Sequence, residues 1–191
     1  MIRIIIAGIV GGLLLFVGGA IEHMVFQWGD RAMQPLPDEA TLVEAIRVQG
    51  LEHGIYSFPE VPENALSDEE AYNQINERYK QGPNGLLILG RTGEDMMGPQ
   101  QLGFEFLSCV AAALLASWVV SRMAPGRGYL ERWAVVVAIG LFAWFAISTS
   151  HGIWYRYHWS YVLDELFCIM FETLLAGAAI AAIVKPKQEA A

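Results

Sequence analysis

Four long apolar segments constrain the fold of this chain more than any other feature of its sequence. They extend from Ile4 to Ile21, from Pro99 to Ser121, from Trp133 to about Tyr155, and from about Ser160 to Val184. A helix needs about 20 mainly apolar residues to cross the hydrocarbon core of a bilayer. The sequence therefore predicts a mainly α membrane protein with a bundle of four transmembrane helices.

These segments divide the chain into helices, loops and one large insert. Helix one falls within residues 1–28, helix two within 99–122, helix three within 133–155, and helix four, after a short outer loop, within 156–185. Residues 29–98 form the insert, residues 123–132 a basic loop and residues 186–191 a tail. The insert is the one stretch long enough to form a water-soluble unit.

The insert carries the net charge of the chain. The whole sequence is 54% hydrophobic and 17% charged, with a formal charge of −8. Between Trp28 and Gly98 there are 13 acidic and 5 basic residues, whereas the charges elsewhere cancel. Because such a surface repels phosphates, the sequence argues against a nucleic-acid partner and favours cations or a basic protein.

The insert is predicted to be a small α+β unit with the order helix, strand, helix, strand. Asp38 precedes a helical pattern, and Gly54 to Phe58 is typical of a short strand. Ser67 begins a capping box for a second helix, and Leu86 to Leu89 is typical of a second strand. Two helices and two strands make a thin core, so we expect the insert to lean on the membrane or on a partner.

The distribution of basic residues predicts the orientation of the helices. Arg3 lies before helix one, Lys185 and Lys187 lie after helix four, and the 123–132 loop with Arg122 is also basic. Positive residues in short loops favour the cytoplasmic side. We therefore expect a multi-pass protein of an inner (plasma) membrane, with both termini cytoplasmic and residues 29–98 extracytoplasmic.

Helix one also has an alternative interpretation as a cleaved signal peptide. Arg3, an apolar core and the small residues Gly18, Gly19 and Ala20 are compatible with such a leader. The uncharged run of 18 residues from Ile4 to Ile21 is longer than the usual signal core, which favours an uncleaved anchor.

Small residues on helix one predict close helix packing. Spacings of four residues between small side chains let two helix backbones approach each other. The contact is predicted either within the bundle or with another membrane subunit, and its residues are Gly8, Gly11, Gly12, Gly18 and Gly19.

Ionisable residues are expected to gather at the outer ends of the helices. Counting about 1.5 Å per residue brings a set from all four helices to a similar depth, namely Glu22, His23, Glu105, His151, Asp164 and Glu165. Glu172 lies deeper, about halfway along helix four. Helices two and four both have a small, polar face, through Glu105 and Cys109 and through Cys168 and Glu172, so we expect these helices to pack together.

Three interpretations of this set stay open beside a buried polar network. A metal site would use the oxygen and nitrogen ligands of Glu22, His23, Glu105, His151 and Glu165. A haem would use the two histidines His23 and His151. A proton or ion path would use the carboxyl groups of Glu105, Asp164, Glu165 and Glu172.

The sequence contains no catalytic motif that would identify an enzyme. It lacks HExxH, paired CxxC, CxxCH and a phosphate-binding glycine loop. We expect a non-enzymatic accessory or scaffold subunit of a membrane complex, whose insert docks a partner and which contacts another membrane protein or further copies of itself. The alternatives are a small proton or cation carrier and a metal- or haem-binding membrane protein.

Overall fold

A computed structural model describes residues 1–185 of the chain, so the predicted tail 186–191 lies outside the described residues. Within them, four helices are long and apolar enough to cross a membrane, and we call them spans 1 to 4: Ile2–Phe26, Pro99–Ser121, Tyr129–Trp154 and Trp159–Ile183. Between 22% and 28% of the most apolar window of each span is buried inside the chain. Most of this apolar surface must therefore be covered by lipid or by another protein. The prediction of a mainly helical chain with four membrane-length helices is confirmed.

Span 3 begins at Tyr129, earlier than the predicted start at Trp133. The charged residues that suggested a loop are part of the helix. Glu131 accepts a hydrogen bond from the Gly128 backbone N–H at 2.7 Å, which stabilises the first turn. Arg132 is buried and donates to the carbonyl oxygens of Ala181 at 3.1 Å and Arg127 at 2.6 Å, so its charge lies against the carboxyl end of span 4.

The chain separates into two compact units, which we call the helical unit and the insert unit. Within the described residues, the helical unit contains Met1–Gln34, Met96–Ile153 and residues 157–185, and the insert unit contains Pro35–Asp95 with Trp154–Arg156. In the helical unit, span 1 packs against spans 2 and 4, and span 3 packs mainly against span 4. Helices two and four do contact each other, as predicted, but their contact is small, and span 1 packs more extensively against both.

Small residues allow span 1 to approach its neighbours closely. A Cβ atom on Gly12 would lie 2.5 Å from the Cα atom of Val110 in span 2, and one on Gly8 would overlap the Leu114 side chain. A Cβ on Gly11 would lie 3.0 Å from the Ile180 side chain of span 4. These glycines therefore lie at contacts within the chain, where any larger residue would push the helices apart.

The insert unit has the predicted order of helix, strand, helix, strand. Its elements are a helix Glu39–Val48, strand β1 Gly54–Phe58, a helix Glu69–Gln81 and strand β2 Gly85–Leu89. The two strands are antiparallel, and Ile55 is the direct partner of Ile88.

Both insert helices begin with an aspartate cap. Asp38 accepts from the Thr41 backbone N–H at 3.1 Å and the Thr41 hydroxyl at 2.6 Å, and these bonds hold the pKa of Asp38 below its usual value. Asp68, rather than the predicted Ser67, caps the second helix by accepting from the Glu70 N–H at 2.9 Å. The prediction of Ser67 is wrong because its hydroxyl donates to the Asn64 carbonyl instead.

The insert unit has a thin apolar core, as its few elements predict. Its buried apolar side chains include Ala65 and Ile75. By contrast, Ile55 and Ile88 are 71% and 58% exposed. Because direct partners in an antiparallel pair share one face, these two residues form an exposed apolar side of the sheet.

Candidate functional site

An acidic cavity of about 210 Å³ lies in the helical unit between the end of span 1 and the first half of span 4. Span 1 and the turn after it contribute Glu22, His23, Trp28, Gly29, Asp30 and Met33. Span 4 contributes Tyr161, Glu165, Cys168, Ile169 and Glu172. The cavity therefore lies between the end of span 1 and the face of span 4 that bears carboxyl groups.

A change of helix type at the end of span 1 positions its part of the cavity. The α-helix ends at Ile21 and continues as a π-helical turn over Glu22–Phe26. Gln27 then takes a left-handed conformation, with φ of 54°, and the chain turns into a short 3-10 helix, Asp30–Ala32. π-Helical turns inside α-helices are frequent at functional sites. Here the turn accompanies an inward-pointing Glu22, which is 1% exposed.

Two carboxyl groups on the cavity have an unsatisfied buried oxygen. Within residues 1–185, Glu22 Oε1 and Glu165 Oε2 are buried and have no hydrogen-bond partner. The Cys168 thiol lies near Glu22, and the Tyr161 hydroxyl lies near Glu165. Glu22 and Glu165 therefore each keep an oxygen that can accept a hydrogen bond from a ligand.

Glu172 lies deeper along span 4 and against two glycines of span 1. A Cβ on Gly19 would lie 2.9 Å from Glu172 Oε1, and one on Gly18 would lie 3.4 Å from Glu172 Cγ. These two glycines therefore leave room for a carboxyl group, which is a role that the small-residue spacing did not indicate.

The carboxyl groups of Glu22 and Glu105 both lie close enough to Glu172 to act on it electrostatically. Glu105 lies on the exposed flank of span 2, where it accepts a hydrogen bond from the Cys109 thiol at 3.5 Å. The structure thus brings Glu165 and Glu172 together with Glu22 on the cavity wall, whereas Glu105 lies near Glu172 but outside that wall.

Asp164, a further residue of the predicted ion path, forms an ion pair with an arginine. Arg31 Nε donates to both carboxylate oxygens of Asp164 at 3.0 Å, and Nη2 bonds Oδ1 as well. Asp164 is 3% exposed, and it holds the pKa of Arg31 above its usual value. Because the two residues are 133 positions apart, no local pattern in the sequence signals this pair.

The two histidines of the predicted haem and metal sets lie in different places. His23 is on the cavity wall, with its Nδ1 3.7 Å from Asp30 Oδ2. His151 lies in the last helical turns of span 3, Thr149–Trp154, where its ring stacks on Tyr157 at a centroid distance of 5.2 Å.

The predicted metal set is therefore only partly brought together, through Glu22, His23 and Glu165 on the cavity wall. In the part of the chain that the structure describes, no group of three or more His, Cys, Asp or Glu side chains is arranged to hold a metal ion. The physical reason is helix rotation: Glu105 faces outward on span 2, and His151 packs on a tyrosine.

Aromatic rings stabilise the turn that closes the cavity. Trp28 lies 4.7 Å from the Phe26 ring and 6.1 Å from the rings of Phe167 and Phe171, measured between centroids. Phe26 packs edge-to-face on Phe171 at 5.7 Å. Such contacts attach the residues after span 1 to span 4 and keep one aromatic side chain, Trp28, on the cavity wall.

Comparison of the chain with protein-family models, with curated proteins and with solved structures gave no match. Carboxyl groups dominate the polar wall, and the arginine beside them is already paired with Asp164. Such a wall favours a positively charged ligand and disfavours an anion.

Proposed function

We propose that this chain is a non-enzymatic, multi-pass membrane protein that binds and carries a cation, the proton included, through its acidic cavity. The observation that carries the proposal is the pair of buried carboxyl oxygens, on Glu22 and Glu165, that lack a partner within the described residues 1–185. An unpaired buried carboxylate is costly, so such groups take up a proton or a cation. Ionisable residues at membrane depth mark ion and proton pathways.

The proposed path begins at the cavity, where Glu22 and Glu165 receive the cation, and passes to Glu172, which lies deeper along span 4. Glu105 lies beside this path, near Glu172, on the exposed flank of span 2. Glu22 takes the role that the sequence suggested for Asp164, because Arg31 neutralises Asp164.

We place both termini in the cytoplasm of a cell with an inner (plasma) membrane, and the insert outside it. The basic residues of the 123–132 loop and of both chain ends support this orientation. The cavity then opens toward the extracytoplasmic side. Four spans are few for a complete path, so the proposal includes self-association or a membrane-protein partner.

Transport by reconstituted protein tests the proposal. Proteoliposomes containing a pH-sensitive dye receive an imposed K⁺ diffusion potential, and the initial rate of internal pH change or K⁺ uptake is measured. We expect Glu172→Gln to lower the rate at least tenfold, because it removes the deepest carboxyl group of the proposed path. Glu39→Gln, on an exposed insert helix, should keep the wild-type rate. Wild-type protein without flux, or Glu172→Gln with unchanged flux, would contradict carriage.

A second candidate function is that of an accessory or scaffold subunit whose insert docks a partner. The exposed apolar pair Ile55 and Ile88, on an insert unit that carries a strong negative charge, favours a basic partner with an apolar contact patch. Such a complex combines burial of the apolar pair with electrostatic steering.

Purification in mild detergent after gentle crosslinking tests the docking function. We expect one stoichiometric membrane protein with a basic extracytoplasmic region to accompany the wild type. Replacing both isoleucines, by Ile55→Asp with Ile88→Asp, should abolish its recovery, and raised salt should reduce it. Leu66→Asp, at a 91% exposed position elsewhere in the insert, should retain it. Protein that purifies alone, or a partner that both variants retain equally, would rule this function out.

A further inference from the structure

We propose that the ligand of the acidic cavity is a small organic ammonium ion, with a protonated amine at one end and a short apolar body. The inference rests on the proposed function, because it names the class of cation that the same cavity binds. Three properties of the cavity carry it: its volume, the division of its wall into acidic and apolar parts, and the charge balance around it.

The volume exceeds what a bare ion requires. About 210 Å³ corresponds to roughly seven water molecules at about 30 Å³ each. It is smaller than the pockets of about 300–1,000 Å³ that hold drug-sized ligands. A ligand of only a few non-hydrogen atoms therefore fits, whereas a single proton or alkali ion would leave most of the space to water.

The wall combines hydrogen-bond acceptors with apolar and aromatic surface. The buried oxygens Glu22 Oε1 and Glu165 Oε2 have no partner within residues 1–185, and they are the acceptors that an ammonium N–H needs. Trp28 adds an aromatic ring, whose face attracts a cation, and Ile169 and Met33 add apolar surface for a carbon body. A metal ion instead needs several ligands converging on one point, which the described residues do not provide.

The charge around the cavity excludes an accompanying negative group. The arginine beside the cavity, Arg31, is already engaged, because its Nε donates to both oxygens of Asp164. A zwitterion such as an amino acid would place its carboxylate against carboxyl groups. The preferred ligand is therefore an amine without a carboxylate.

Binding to the full chain in mild detergent tests the inference, with propylammonium, K⁺ and the zwitterion β-alanine as probes in calorimetry at neutral pH. We expect propylammonium to bind at least tenfold more tightly than K⁺ and β-alanine not to bind. Glu22→Gln and Glu165→Gln should each lower the affinity for propylammonium at least tenfold, and Trp28→Leu should lower it severalfold. Glu39→Gln and Trp118→Leu, which replace residues outside the cavity, should bind as the wild type does.

The outcomes separate the ligand class from the proposed function. Equal affinities for K⁺ and propylammonium, both lost in Glu22→Gln, would overturn the ammonium inference and leave cation binding intact. Absence of propylammonium binding, together with cation flux that depends on Glu172, would also overturn the ammonium inference and leave the proposed cation transport intact. Propylammonium binding that neither glutamine variant changes, or no cation binding and no flux at all, would overturn both. Size-exclusion chromatography and thermal unfolding verify folding of each variant, and Glu165→Gln serves if Glu22→Gln does not fold.

Discussion

Replacing Arg31 by methionine should lower the unfolding free energy of the helical unit, because it leaves a buried carboxylate without its partner. Asp164 is 3% exposed, and Arg31 Nε donates to both of its oxygens at 3.0 Å. The Arg31 side chain is 55% exposed, so water can reach the pair from that side, and the loss should be smaller than for a pair buried on both sides.

Unfolding by heat or by graded SDS in mild detergent measures this effect. The double variant Arg31→Met with Asp164→Asn should recover most of the lost stability, because it removes the charge as well as its partner. The matched control Arg91→Met affects an exposed arginine that lies 4.0 Å from Glu94 and should change stability by less than about 1 kcal/mol. Equal effects of Arg31→Met and Arg91→Met would show that the buried pair has no special contribution.

Elements with clear start and stop residues were predictable from the sequence. Pro99 marks the start of span 2 and Gly54 to Phe58 marks β1, and both elements have the predicted bounds. The start of span 3 was not predictable, because charged residues such as Glu131 and Arg132 occur both in loops and inside helices. Charged residues suggest a loop, yet here one stabilises the first helical turn and the other bonds to the carboxyl end of span 4.

The sequence predicted how deep the site residues lie along their helices, but not which way their side chains face. Counting residues from the helix ends brings Glu22 and Glu165 to a similar depth, and both line the cavity together with Glu172, which the count places deeper. Helix rotation decides which side chains face inward, and apolar segments encode rotation poorly. For that reason Glu105 lies on an exposed flank of span 2, and the His151 ring stacks on Tyr157.

Local backbone changes also decide the site, and periodicity alone does not reveal them. The π-helical turn over Glu22–Phe26 and the left-handed Gln27 bring the following turn back against span 4. This return places Arg31 on Asp164 and Trp28 on the cavity wall. A uniform α-helix through Phe26, which the apolar pattern predicts, would not bring the two residues there.

Replacing Gly12 by alanine should destabilise the contact between spans 1 and 2 by about 1–3 kcal/mol, the usual cost of overpacking a tight contact. The added Cβ atom would lie 2.5 Å from the Val110 Cα atom and 2.8 Å from the Val110 backbone nitrogen. A side chain can rotate away from an added methyl group, but these are backbone atoms. Relief therefore requires the two helices to separate, which also weakens the neighbouring packing around Ala113.

Gly103→Ala provides the matched control on span 2 for the same unfolding measurement. A Cβ atom at Gly103 meets nothing within 4 Å, so that variant should keep the wild-type stability or gain up to about 1 kcal/mol from the higher helix propensity of alanine. The comparison isolates packing from propensity, because both variants exchange glycine for alanine inside a membrane-length helix. If Gly12→Ala unfolds at or above the wild-type midpoint, spans 1 and 2 are not in close backbone contact at this position. If it unfolds earlier while Gly103→Ala does not, the small residue at position 12 is needed for helix approach within the chain.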